Sequence, residues 1–252
     1  MFLRIVQGTI SAENAFGFRR FYQDEVIPAL EETPGCEGAT LVQNDHSKEE
    51  FMSLSLWKDQ KYATDYESSE RYKGLIEKIK PVLADSSEWR VQLSEDFTVE
   101  YKPVEQEPVV KSYNIVELDK ETVELPESSP KLYMRIVSVK IAQDKEDEFQ
   151  ELYRSEILPT LKTVKGCRYA FLSQGIPTDN EWLSVTVWDS QQDGDDYENS
   201  GVFDTLTEKV AHTFSSIYQW KMKLEESGRQ SATTEDLKVD EYAVVAGRTF
   251  KS

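Results

Sequence analysis

One block of about 90 residues occurs twice in this chain of 252 residues, and the two copies are separated by a constant 131 positions. Residues 4–93 and 135–224 are identical at 27 of 90 positions without a gap, whereas unrelated sequences of ordinary composition would share roughly 6%. Trp57, for example, recurs as Trp188. Solenoid repeats are about 20–50 residues long. The unit is therefore a whole small domain that has been duplicated.

The order of elements within one copy predicts an α+β domain. Residues 2–10 are β-branched and apolar, as in a strand, and the apolar residues that follow keep helical spacing. The other expected elements are strands at 36–43 and 51–57, a broken helical region at 60–83 and a last strand that opens at 89–93. The order β-α-β-β-α-β is the ferredoxin-like unit, whose sheet carries helices on one face only. Two copies can cover each other's bare face, which predicts an internal pseudo-dimer.

The expected domain boundaries follow the charge and proline pattern. We expect a first domain at residues 1–102, a linker at 103–130 and a second domain at 131–252. The stretch 95–130 holds ten acidic and three basic residues and four prolines, which is typical of a linker. It contains one short strand-like segment at 112–118, and the second copy has a similar segment at 242–245.

The composition excludes several classes of partner. A formal net charge of −18 repels nucleic acid and anionic membrane surfaces. The sequence shows no apolar run of membrane-spanning length and no signal peptide at its start. Two cysteines make no disulfide framework. We therefore expect a cytoplasmic protein that binds neither nucleic acid nor membranes. Whether two chains associate further as a homo-oligomer stays open.

Several motifs occur in a fixed order in both copies. In the first copy they are ExxPxL at 25–30, PGCxGxxL at 34–41, a strand that closes on Trp at 54–57, and xYxxSxxYxxL at 65–75. The second copy repeats them at 156–161, 166–172, 185–188 and 196–206, with Lys165 in place of the proline, Tyr169 in place of the second glycine and Phe203 in place of the second tyrosine of the last motif. In order and spacing they resemble the antibiotic biosynthesis monooxygenase family of the dimeric α/β-barrel superfamily. The resemblance implies two tandem ferredoxin-like domains that form an intramolecular α/β-barrel.

The resemblance implies more than one function. Some members of that family oxygenate electron-rich phenols without metal or flavin, and others bind and degrade heme. We expect a small-molecule-binding protein that resembles the cofactor-independent monooxygenases and acts on a phenolic or quinol-type aromatic molecule. The alternative is a non-catalytic ligand-binding or structural module. Heme chemistry is disfavoured, because the position of the iron-ligating histidine is Ile76 in one copy and Thr207 in the other.

Arginine and glutamate are the first pair of candidate site residues. Arg4 and Arg135 lie in apolar strands, and Glu25 and Glu156 are spaced close to the apolar stripe of the first helix. A buried Arg–Glu pair that fastens the helix to the sheet is one interpretation. In the other, the pair lines a pocket, the arginine binds substrate, and the glutamate acts as a base toward a phenol with its pKa raised by desolvation.

Two aromatic pairs complete the candidate site. The resemblance implies that the strand-closing Trp57 and Trp188 bind substrate, and they serve equally well as core aromatics. Tyr66 and Tyr197 stand near the position where many family members carry a histidine, and they are candidate catalytic hydrogen-bonding groups.

Other reactive side chains give no metal site or nucleophile. The chain has two histidines. His46 is expected in a solvated turn, and His212 is expected to pack beside Phe214. Cys36 and Cys167 begin equivalent strands and are expected to be small buried residues. With no Cys/His cluster we expect no metal and no cofactor.

Overall fold

The first copy folds into a four-stranded sheet with helices on one face. The computed structural model describes residues 1–83, 85–93, 99–105, 108–118, 132–176, 180–215 and 237–250. The elements of the first copy are β1 (Phe2–Thr9), α1 (Ala15–Phe21), α2 (Ile27–Glu31), β2 (Cys36–Asn44), β3 (Glu50–Trp57), α3 (Gln60–Glu67), α4 (Glu70–Ile79), β4 (Asp85–Leu93), β5 (Val99–Glu105) and β6 (Val109–Leu118).

The second copy repeats this arrangement. Its elements are β7 (Tyr133–Lys140), α5 (Glu146–Leu152), α6 (Leu158–Leu161), β8 (Cys167–Ile176), β9 (Glu181–Trp188), α7 (Gln191–Asn199), α8 (Val202–Val210) and β10 (Leu237–Thr249). Three of the four helices that follow the third strands, α3, α4 and α7, begin with a side-chain cap. Ser69 and Ser190, for instance, accept a hydrogen bond from the backbone N–H three residues on.

Eight antiparallel strands from the two copies close into one barrel. Their order is β1-β3-β2-β10-β7-β9-β8-β6, and β6 returns to β1. The strands β6 and β10 join the halves, because each pairs with the first strand of its own copy and with the second strand of the other. The α+β fold and the internal pseudo-dimer expected from the repeat are confirmed.

The fourth strand of each half differs from the expected one. Residues 89–93 do form a strand, but β4 pairs with β5 in a separate two-stranded sheet. The barrel positions belong to β6 and β10, which contain the strand-like segments 112–118 and 242–245. Alternating polarity predicts a strand without choosing its partner. Trp220, the repeat equivalent of Trp89, lies outside the described residues, and the domain boundaries stay a prediction.

Three apolar clusters hold these layers together. Strand alternation sends Leu3 and Ile5 into the barrel interior, where they meet residues of the second copy such as Met134 and Phe171. The opposite face of each half-sheet packs against its own helices, which gives one cluster for each copy. The barrel interior therefore joins the copies, and each helix–sheet layer belongs to one copy alone.

The first helix of each copy contains a wide turn before its proline. A π-helical turn, Tyr22–Val26, connects α1 to α2, and the N–H of Ile27 donates to the carbonyl of Tyr22. The second copy has the same turn at Tyr153–Ile157. The helix widens immediately before Pro28 and Pro159, which lie in the first turn of α2 and α6, where proline is tolerated.

In the described part of the chain, no helix is long and apolar enough to cross a membrane.

Candidate functional site

A cavity lies between helices and sheet in each copy. The first-copy cavity measures about 70 Å³, and the second-copy cavity about 60 Å³. Each of the fifteen described residues that line the second cavity has its counterpart 131 positions earlier in the lining of the first. The floor comes from the helix-facing side chains of the first and third strands, and the roof from the helices. The duplication has therefore preserved a pocket as well as a fold.

A buried arginine lies in the wall of the first cavity. Arg4 is only 4% exposed, and its guanidinium carbon lies 4.8 Å from the ring centre of Tyr72. Its Nη2 is 3.7 Å from a carboxylate oxygen of Glu67, a side chain that is 47% exposed. Both Nε and Nη2 are buried without a hydrogen-bond partner. Because a buried donor without an acceptor is costly, this guanidinium is suited to an oxygen atom of a ligand.

The equivalent Arg135 is more completely satisfied by the protein. Its Nη2 donates to Glu198 at 3.3 Å, and Nε alone is buried without a partner. Its guanidinium carbon lies 4.1 Å from the ring centre of Phe203 and 5.7 Å from that of Tyr197.

Tyr66 and Tyr197 line the cavities as the sequence suggested. Burial raises the pKa of Tyr66, and that of Tyr197 to about 12, although the nearby Arg4 and Arg135 act in the opposite direction. The two phenols therefore stay protonated near neutral pH. They can donate a hydrogen bond to a ligand, and they cannot serve as proton acceptors in that range.

Trp57 and Trp188 lie behind those tyrosines. Both are fully buried, and neither is among the lining residues of its cavity. The indole of Trp57 packs 5.2 Å from the ring of Tyr66 and donates through Nε1 to Ser55 Oγ at 2.9 Å. Trp188 makes the same contacts with Tyr197 and Thr186. In the structure the tryptophans are core residues that support the cavity wall.

Glu25 and Glu156 lie on the surface, so the expected pairing with arginine is wrong. Glu25 is 44% exposed and pairs with Lys78, and Glu156 is 43% exposed and pairs with Lys209. The π turn explains the difference. Because such a turn contains more residues than an α-helical turn, the third residue after Tyr22 does not return to the buried face.

Replacing Glu25 with glutamine should leave ligand binding and turnover unchanged. The carboxylate contacts solvent and one lysine on the surface, and an exposed ion pair contributes less than about 1 kcal/mol. The check is a denaturant titration and a turnover assay of Glu25→Gln beside Glu156→Gln. A folded Glu25→Gln variant without activity would restore this residue to the catalytic machinery.

A pair of hydroxyl groups in each cavity was missed by sequence reasoning. Tyr22 Oη lies 2.8 Å from Ser53 Oγ, and Tyr153 Oη lies 2.8 Å from Ser184 Oγ. Burial raises the pKa of Tyr22. Tyr22 is repeated as Tyr153 and Ser53 as Ser184. This identity between the copies was the sequence signal that could have pointed to the pair. The pair adds two hydroxyl groups to the lining of each cavity, besides the arginine.

The other reactive side chains lie elsewhere. His46 is exposed as expected, and His212 is 52% exposed and contacts Glu148 at 2.8 Å, so its expected packing is wrong. It is the middle residue of a short 3-10 turn whose next residue, Thr213, occupies the interior. Burial raises the pKa of Cys36 to about 12, which keeps the thiol protonated. Within the described residues, no group of three His, Cys, Asp or Glu side chains could hold a metal ion.

These features define a class of protein, a ferredoxin-like dimeric α/β-barrel with a pocket between helices and sheet in each half. The sequence model of the antibiotic biosynthesis monooxygenase family matches residues 1–78 and 132–209. The chain belongs to that family, as a tandem duplication of its domain. No curated protein sequence matches the chain.

Solved structures share the whole architecture. A protein of Fusobacterium nucleatum subsp. nucleatum ATCC 25586, named "putative monooxygenase", is 10% identical, with 98% of this chain and 94% of that one covered and a TM-score of 0.66. An anthrone oxidase-like protein is 11% identical, with 100% and 94% covered and a TM-score of 0.61. A Lactobacillus acidophilus NCFM protein with the same name as the first is 11% identical, with 99% of both chains covered and a TM-score of 0.61. At these identities the likeness establishes the fold.

Proposed function

We propose that this protein binds a small phenolic aromatic molecule in the helix–sheet cavity and oxygenates it with O₂, without a metal or flavin. The observation that carries the proposal is Arg4, a buried guanidinium with two nitrogen donors that have no hydrogen-bond partner, on the wall of an otherwise largely apolar pocket. The family and the names of the structural neighbours support the reaction class.

The pocket chemistry fits a phenol better than a fully apolar ligand. An aromatic ring would contact side chains such as Phe18, Val26 and Leu75, while its oxygen accepts hydrogen bonds from Arg4. The guanidinium favours the ionised phenolate over the neutral phenol. Tyr66 lines the same space and stays protonated, so its hydroxyl is a further candidate donor.

A bound phenolate is the electron-rich form that can give electrons to O₂. In the overall reaction the substrate loses two hydrogens and gains one oxygen atom on carbon, as when a benzylic CH₂ becomes a carbonyl or a hydroquinone becomes a hydroxyquinone. The second oxygen atom leaves as water, so O₂ is the only oxidant required. The role of the chain is to hold the ring and the anionic oxygen in a site shielded from water.

The size of the cavity limits the substrate. Its volume of about 70 Å³ is several times the roughly 10–15 Å³ that one water molecule requires. A single ring is therefore a better fit than a fused multi-ring system, which would need α3 or α4 to move outward.

Binding without turnover is the second candidate, and one observation favours it. The described ionisable residues that line the first cavity are Arg4, Tyr22, Tyr66 and Tyr72. These include no carboxylate or imidazole that could accept a proton near neutral pH. A substrate that must be deprotonated in the site would find no side-chain base among them.

Oxygen uptake separates the two candidates. With hydroquinone or anthrone as substrate, the monooxygenase proposal expects enzyme-dependent O₂ consumption, one O₂ for each oxygen atom incorporated into the product, and faster turnover of the single-ring compound. Heat-denatured protein provides the control for autoxidation. Ligand binding with no O₂ consumption above that control would support the non-catalytic module and overturn the oxygenase proposal.

A further inference from the structure

The first-copy cavity adjoins a larger space at the mouth of the barrel. That space measures about 320 Å³ and is lined partly by polar side chains, among them Gln7, Thr9 and Glu50. Four residues line both spaces: Gly8, Phe51, Leu83 and Pro108. Gly8 pairs across the strands with Phe51 and presents no side chain to the boundary. The two spaces therefore share a boundary at this glycine, on the side of the cavity whose wall holds Arg4.

The matching end of the second copy is filled by larger side chains. Val139 replaces Gly8, Trp182 replaces Phe51 and Phe214 replaces Leu83 at the offset of 131. Val139 pairs with Trp182 just as Gly8 pairs with Phe51, and all three second-copy residues are at most 4% exposed. Gly8 and Leu83, by contrast, are partly exposed.

The two arginines also differ in how far the protein satisfies their hydrogen-bond donors, and Arg4 is the less satisfied of the two. Arg4 has two buried nitrogens without partners, and Glu67 approaches it no closer than 3.7 Å. Arg135 has one such nitrogen and a hydrogen bond to Glu198. The phenol ring of Tyr72 beside Arg4 becomes the phenyl ring of Phe203 beside Arg135. The second-copy guanidinium therefore has less need of a ligand oxygen.

We propose that the two copies have divided their roles: the first-copy cavity takes the ligand past Gly8, and the second-copy cavity, whose matching end is filled by larger side chains, is structural. One chain then binds one phenolic ligand, although it carries two equivalent cavities. This inference rests on the proposed function, because it takes the same phenol-binding pocket and assigns it to one copy.

The stoichiometry of binding is the first test. The probe is 4-nitrophenol, a single-ring phenol whose phenolate absorbs visible light, titrated into the full chain and followed by calorimetry and absorbance. We expect one site per chain and a rise of the phenolate band on binding. Two equivalent sites per chain would overturn the division of roles and leave the proposed function standing. No binding at all would overturn both.

Gly8→Val locates the site. A Cβ at position 8 would lie 3.6 Å from Leu83 Cδ2, an ordinary van der Waals contact, so the added methyl groups of valine would occupy the gap. Valine suits a strand, and the variant should fold. We expect the affinity for 4-nitrophenol to fall by about tenfold or more, because the valine side chain takes space from the cavity that Gly8 lines as well as narrowing the access to it.

The matched control is Val139→Ala, which changes the equivalent position of the second copy. We expect it to keep one site and the wild-type affinity. Gly8→Val that binds like the wild type, or Val139→Ala that lowers affinity as much as Gly8→Val, would overturn the assignment to the first copy. Circular dichroism and a denaturant titration check that both variants are folded.

Discussion

Trp57→Ala should lower the free energy of unfolding by about 3–5 kcal/mol, the usual cost of removing a large buried aromatic side chain. Trp57 is fully buried and packs against Tyr66. Its removal would leave a cavity, take away the support of Tyr66, and leave the hydroxyl of Ser55 without the indole N–H that donates to it. A urea titration measures the effect, and Trp188→Ala should give a loss of similar size.

Trp57→Phe is the variant that separates a core role from a substrate-binding role. Phenylalanine keeps an aromatic ring beside Tyr66 and loses only the N–H and part of the volume, so the stability loss should be smaller than for alanine. Affinity for 4-nitrophenol should stay near that of the wild type, because Trp57 lies behind the lining. A large loss of affinity at unchanged stability would show that Trp57 binds substrate, as the sequence had suggested.

The repeat made the fold predictable because it constrains the structure more strongly than any single motif. A β-α-β-β-α-β unit has one bare sheet face, and a second copy in the same chain provides a surface that covers it. Leu3 and Ile5 on alternate positions of β1 already carried the apolar pattern of the barrel interior. The choice between β4 and β6 as the closing strand depended on pairing over long sequence distance, which local patterns do not encode.

The position of a site residue could be predicted from the sequence only where strand alternation fixes the side of the sheet to which its side chain points. Arg4 stands in an apolar strand between residues of the barrel interior, so alternation places it on the helix side. Glu25 depends on the number of residues in one helical turn, and the π turn at Tyr22–Val26 rotated it to the surface. The contact of Tyr22 with Ser53 joins residues from a helix and a strand, and the spacing within either element does not predict it.

Arg4→Met should weaken binding of the phenolate form of 4-nitrophenol by roughly 10–100-fold. Hydrogen bonds to a charged group contribute about 1.5–3 kcal/mol, and about 1.4 kcal/mol corresponds to a tenfold change in affinity. The variant should fold, because methionine fills the same apolar surroundings and Glu67, the partner left behind, is 47% exposed and can be solvated. Glu67→Gln is the matched control. It removes the other charge of the pair on the solvent side, and affinity should stay within about twofold.

The pH dependence of binding distinguishes an anion site from a merely apolar pocket. If the Arg4 guanidinium holds the ligand oxygen, affinity in the wild type must rise as the pH passes upward through the pKa of the free phenol, because the favoured form is the anion. With methionine at position 4 the cavity keeps its apolar lining and loses its charge, and an apolar site favours the neutral phenol. The affinity of Arg4→Met should therefore fall over the same pH range. Arg4→Lys restores a positive charge without the planar guanidinium, so its affinity should again rise with pH but stay below that of the wild type. If wild type and Arg4→Met show the same slope, the anionic oxygen lies elsewhere and the proposed orientation of the ligand is wrong.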